Sequence, residues 1–193
     1  MKEIGQVVRV DSALNWLVEV FREGDIQYPP NRRDYSVGTF LKIPTEEVNL
    51  VSVVVDVVIY NPDYGVPRVK AEERQKIEEL MPDLGDQVKT LIFVYYLGSI
   101  EEESPDHSFP NLTPRLHDEV IAMSDNELEK FHTRNNSLYL GYLPRFLKNE
   151  NSSHLFAKMA ERLGEVIEED QMLLNKIRNN VSEENRFERI GGY

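Results

Sequence analysis

The 193-residue sequence predicts an α+β fold: a small closed β-barrel of about six strands, inserted short helices, and a long C-terminal helix. Three observations carry this prediction. Two long runs, LVSVVVDVVIY at 50–60 and QVKTLIFVYYLGSI at 87–100, are β-branched and aromatic nearly throughout, as in strands covered on both faces. Clusters of Pro, Gly, Asp and Asn separate the apolar runs of the first two thirds. Beyond residue 152 the apolar spacing changes from the strand period to three-four, the helix period.

In chain order, IGQVVRV (4–10) and LNWLVEVF (14–21) read as two strands joined by turn chemistry at Asp11-Ser12. A loop rich in Pro, Gly and Asp follows, then a short strand, GTFLKI (38–43). The 50–60 run is a long strand interrupted by Asp56, which reads as a rim or edge position. AEERQKIEELM (71–81) has the mixed charges of a short surface helix and stops before Pro82. In the 87–100 strand, Tyr95 and Tyr96 should point to opposite faces.

The clearest local signal is PRLHDEVIAMSDNELEKF (114–131). Ser124 and Glu127 have the spacing of a capping box, Met123 and Leu128 that of a hydrophobic staple, and Asp125, Glu127 and Glu129 place negative charge at the helix start. A strand over 119–123 therefore hands over to a helix at Asp125, expected to run over 125–134. SLYLGYL (137–143) reads as the last strand. The expected division is a barrel domain over 1–147 and a helical extension over 148–193.

In that extension Phe156, Met159, Leu163, Val166, Leu173 and Ile177 form an apolar seam, with Asp170 at one seam position. A single helix over this stretch would be roughly 40 Å long. The seam reads either as the face of a helix packed on its own domain or as a surface for self-association or partner docking, and it is the candidate partner-binding surface.

Composition excludes several function classes. With no cysteine, disulfides and cysteine-ligated metal centres cannot form. The net charge of −12 opposes phosphate backbones, so direct nucleic-acid binding is not expected. The one dense basic pair, Arg32-Arg33, is flanked by acidic residues and reads as a solvated loop. The N-terminus lacks the apolar core of a signal peptide, and no stretch nears the roughly 18 continuous apolar residues of a membrane span, so a cytoplasmic protein is expected. There is no P-loop, and no glycine precedes a lysine. No nucleophile elbow is present. His107, His117, His132 and His154 are too far apart in sequence for a local metal pair, and His117 and His154 read as surface or packing residues. No cofactor and no catalytic activity are expected.

The order of these pieces resembles the HAS barrel, the N-terminal region of HerA-type hexameric DNA-translocating ATPases. The resemblance lies in IGQVVRVD, in VGTFLKI followed by LVSVVVDVVIYNP, in TLIFVYYLG, and above all in PRLHDEVIAMSDNELEKF with SLYLGYLP, over about residues 3–147. In that family the strand after the capped helix leads into the ATPase core, whereas here SLYLGYLPRFLKNENSSHLF leads into an acidic helix. The chain is similar to stand-alone HAS-barrel proteins. The resemblance implies a non-catalytic interaction and oligomerisation module, partnered with itself or with a HerA-like ATPase. The alternative is an enzyme or small-molecule-binding protein with a site at the barrel rim built from Asp56, Tyr64, Asp106 and His107.

Overall fold

The computed structural model describes residues 1–61, 88–102, 104–149, 152–167 and 170–190. The helix expected over 71–81 and Tyr64 lie outside these residues.

Six antiparallel strands close into a barrel. β1 (Lys2–Val10) and β2 (Asn15–Val20) form a hairpin, closed where Ser12 Oγ accepts from the Leu14 and Asn15 amides. β3 (Phe40–Pro44) pairs with β4 (Asn49–Tyr60), and β4 with β5 (Lys89–Glu101). After β6 (Ser104–Asp106), β7 (Glu119–Ala122) enters between β1 and β3. The ring runs β1–β7–β3–β4–β5–β2 and back to β1, and β6 extends the sheet beside the last residues of β5.

Alternation along the strands makes two cores. Ile4, Val7, Trp16, Val18, Leu41, Ile43, Leu50, Val54, Ile92, Val94 and Tyr96 fill the barrel. Phe40, Val51, Val53, Tyr95 and Leu97 stand on the outer face of one wall, where the helices cover them. Tyr95 and Tyr96 thus serve opposite faces, as their adjacency requires.

The covering layer begins at α1 (Asp125–His132). Its capping box is complete: Ser124 Oγ accepts from the Glu127 amide, and Glu127 Oε2 accepts from the Ser124 amide at 2.9 Å. Met123 and Leu128, the staple, are both buried in the outer core. The other oxygen of Glu127 takes Lys42 as an ion pair, which lets that lysine lie buried on the barrel wall. The bonds from Lys42 and Ser124 outweigh burial and hold the Glu127 carboxyl below its usual value. α1 ends at His132, two residues short of the expected end, because Thr133 is extended and opens a hairpin.

The last strand departs from expectation. Over 137–143 only β9 (Ser137–Leu138) is extended, paired with β8 (Thr133–Arg134). Asn135 and Asn136 both have positive φ, at 52° and 56°, the conformation of a two-residue hairpin turn that asparagine tolerates. The chain then turns at Leu140 and enters α2 (Leu143–Phe146), with a proline in its first turn. Leucines 138, 140 and 143 pack against the outer core from this irregular segment.

The C-terminal region is two helices rather than one. α3 (Ser152–Val166) stops, and α4 (Gln171–Ile190) folds back along it: Gln171 Nε2 donates to the Gly164 carbonyl, and Arg178 Nη1 lies 3.8 Å from Glu161 Oε1. The expected seam divides accordingly. Phe156, Met159 and Leu163 are fully buried in the outer core, and Val166 and Ile177 pack partly buried at its margin. Leu173 is 45% exposed, and Leu174 and Val181 are buried instead. A hairpin resets the helical phase, so the second stripe is Leu174, Ile177, Val181, the spacing of one face in a new helix. Asp170, the polar seam position, sits at the break, where its carboxylate accepts the Leu138 amide at 2.9 Å.

Candidate functional site

The rim constellation expected from the sequence is not assembled. Asp56 lies opposite Phe93 on one side of β5, and Asp106 lies opposite Ser99 on the other. Six residues of strand separate those positions by roughly 20 Å. Asp56 sits at a bulge in β4, and its Oδ1 accepts the next residue's amide at 2.8 Å. Asp106 accepts both the amide and the hydroxyl of Ser108, and these bonds lower its pKa below the usual carboxylate value.

His107 is an interior residue. Its Nε2 donates to the Phe131 carbonyl at 3.0 Å, and its ring stacks on Tyr139 at 4.1 Å. It shares the outer core with His132, whose Nδ1 lies 2.9 Å from the Leu128 carbonyl and whose Nε2 lies 3.1 Å from the Tyr142 hydroxyl. A carbonyl only accepts, so His132 carries its proton on Nδ1, and its bare Nε2 accepts from Tyr142. Burial drives both imidazoles toward the neutral form, His107 to about 4 and His132 to about 3, and pushes the Tyr142 phenol up. Arg145 ties this cluster to the barrel through the carbonyls of Leu97 and Ser108, each at 2.9 Å. Gly98 permits the close approach of β5 and β6 here, since a Cβ would meet the Asp106 carbonyl oxygen at 2.4 Å. The two neutral imidazoles and Tyr142, with Arg145 beside them, hold the outer layer on the barrel, although His107 Nδ1 and Arg145 Nε have no hydrogen-bond partner among the described residues. The sequence signals them only as isolated letters between elements.

Asp56 does belong to a cleft, of about 370 Å³, between the barrel end and the helices. Asn15, Asp56 and Asn149 provide its polar groups, and Val55, Tyr95, Phe146 and Leu155 its apolar walls. The Asn15 and Asn149 amides each donate one N–H, to Ser12 Oγ and the Phe146 carbonyl, so the cleft presents their second N–H together with the Asp56 carboxylate and the amide oxygens.

The second surface feature is the outer half of β4. β3 accompanies β4 only to Val53, with the last bonds of that edge at Val54. β4 and β5 continue together as an arm to the Tyr60–Lys89 pair, with β2 flanking β5 as far as Leu91, opposite Val58. Along this arm the outer edge of β4 has no strand partner among the described residues. Val58 is 38%, Ile59 63% and Tyr60 53% exposed. Their β-branched and aromatic types read as ordinary strand residues, so the sequence gives no sign that the barrel stops short of them.

Among the described residues no helix is long and apolar enough to cross a membrane. Comparison with curated proteins gives no match. Residues 1–190, the barrel and the helices together, match the model described as Domain of unknown function (DUF8166), and the chain belongs to that family.

Proposed function

We propose that the chain is a non-catalytic interaction and oligomerisation module. The observation that carries this reading is the β4–β5 arm, an exposed apolar strand edge. Such an edge offers main-chain hydrogen bonds and side-chain contacts to an added strand. Left bare, it is an association hazard that folded proteins ordinarily blunt with charge or cover. The partner in this reading is a second copy or a HerA-like DNA-translocating ATPase, the latter resting on the resemblance of residues 3–147. The test is light scattering of the native protein and of Ile59→Lys, together with co-expression alongside a HerA-like ATPase from the same genome. The reading expects an assembly, with itself or with the ATPase, that Ile59→Lys dissolves without lowering the melting temperature. A native monomer that captures no ATPase overturns it.

A second reading, a small-molecule-binding protein, is favoured by the cleft at Asn15, Asp56 and Asn149. Its carboxylate and two carboxamides suit a small polar ligand with an N–H or O–H donor for Asp56. Asp56→Asn would weaken such a ligand and leave assembly unchanged.

A further inference from the structure

A local departure from the acidic balance is a groove of about 340 Å³ where the 33–39 loop, the end of β7 and α3 meet. Lys2, Arg33, Lys158 and Arg162 line it, and Asp34 is the one carboxylate among its lining residues. Val37 is its half-buried apolar lining residue, with Phe40 and Met123 buried behind it. Two of the cations are already engaged. Lys2 donates to the Pro29 carbonyl at 3.1 Å and lies 3.7 Å from Asp34, while Arg162 pairs with Asp125 and Glu165. The Arg33 guanidinium and the Lys158 ammonium make no ion pair or hydrogen bond among the described residues, and both residues are exposed. Gly38 fixes the distance between their two elements. Its φ of +93° suits glycine, and a Cβ there would stand 3.1 Å from the Lys158 Cβ, so the loop passes directly against α3.

We infer that this groove receives a short acidic segment of a partner protein, its carboxylates on Arg33 and Lys158 and an apolar side chain against the half-buried Val37. The inference rests on the interaction-module reading and gives the partner a chemistry. Charge complementarity selects the occupant. The chain has 34 acidic against 22 basic residues, whereas the groove lining has four cations against one carboxylate, a local reversal that favours an acidic chain. Duplex DNA carries a charge about every 1.7 Å along its axis and extends far beyond a groove of this size. It would run onto the Asp125 and Glu165 carboxylates beside Arg162. A few carboxylates on a flexible segment need only the groove itself. The volume also suits a few side chains, being at the low end of the roughly 300–1,000 Å³ range of ligand sites.

The test is fluorescence anisotropy with three labelled probes: a nonapeptide alternating Glu and Leu, the same peptide with Gln for Glu, and a single-stranded oligonucleotide of nine nucleotides. The Glu peptide should bind the native protein, and salt should weaken it. Arg33→Glu with Lys158→Glu should weaken it roughly tenfold or more, with an unchanged melting temperature because both positions are exposed. Ile59→Lys, which tests the arm, should leave the peptide affinity unchanged, so the two ideas fail separately. Failure of the Glu peptide to bind, equal binding of the Gln peptide, native affinity in the double variant, or tighter binding of the oligonucleotide each overturns the inference.

Discussion

The barrel interior and the layer outside its wall are both dry cores, yet they are built from different materials. Inside, aliphatic side chains dominate, with Trp16 and Tyr96 as the two aromatics, their ring centroids 5.7 Å apart. Outside, Phe40, Tyr95, Phe131, Tyr142, Phe146 and Phe156 surround two buried histidines and a partly buried arginine. The interior owes its stability to removal of apolar surface from water, which pH does not touch. The outer layer also depends on imidazoles remaining neutral, and that makes it conditional.

The comparison is broken most severely at Trp16. Trp16→Ala leaves a large void with strands on every side and no element free to collapse into it. A loss of about 3–5 kcal/mol is expected in denaturant unfolding. Both layers should melt together, because Phe40, Val51, Val53, Tyr95 and Leu97 belong to the strands that enclose Trp16. Survival of the helices after the barrel has melted would show that the two cores are independent.

The next effect sharpens the outer layer's boundary. Leu174→Ala should cost about 2–5 kcal/mol, and Leu173→Ala, at an exposed neighbour, within about 0.5 kcal/mol. Equal losses would restore the seam read from the sequence, in which Leu173 faces inward.

A further effect, comparable in size across its window, is the slope of stability with pH. His107 and His132 have folded pKa values of about 4 and about 3, against 6.5 when free. As pH falls below about 6.5 the unfolded chain takes up these protons and the folded chain does not, so stability falls. Each histidine contributes up to about 1.4 kcal/mol per pH unit until its folded value is reached. The carboxyls held low by bonding, Asp106 and Glu127, act below their unfolded values of 3.8 and 4.5, which leaves the window from 4.5 to 6.5 to the histidines. Chemical denaturation across that window should show the slope, and His107→Asn should reduce it by about half, with His132 supplying the rest. A flat native profile would mean the imidazoles are hydrated.

What was legible in the sequence follows the same division. Period-two runs and β-branched composition report directly on an environment covered from both faces, so β1, β2, β4 and β5 were recognisable with ends displaced by a residue or two. The Ser124–Glu127 box was legible because capping is local, its bonds spanning three residues. The outer layer depends on contacts between distant positions. His107 meets Phe131, and Asp170 meets Leu138, 32 residues away, with no local signature for either. The misread strand at 137–143 failed for a related reason. Alternating leucines and tyrosines look extended, and the Asn135-Asn136 turn and the proline of α2 redirect them. In the terminal region an apolar spacing that suits one long helix suits two short ones equally well, and tertiary packing chose the hairpin.

The order of the strands around the ring also governs how the chain gets there. The β1–β2 hairpin is local, but its two outer edges find their partners far along the chain: Asn15 pairs with Tyr95, and Lys2 with Ala122. The first hairpin therefore waits, with both edges open, until nearly two thirds of the sequence has been synthesised. Loop closure over such spans must precede any gain from barrel burial, which places folding on the slow side, roughly milliseconds to seconds. During that interval the hairpin's exposed edges can pair with other chains. An insertion in the loop between β2 and β3, which lengthens the wait, should lower the yield of folded protein more than its stability.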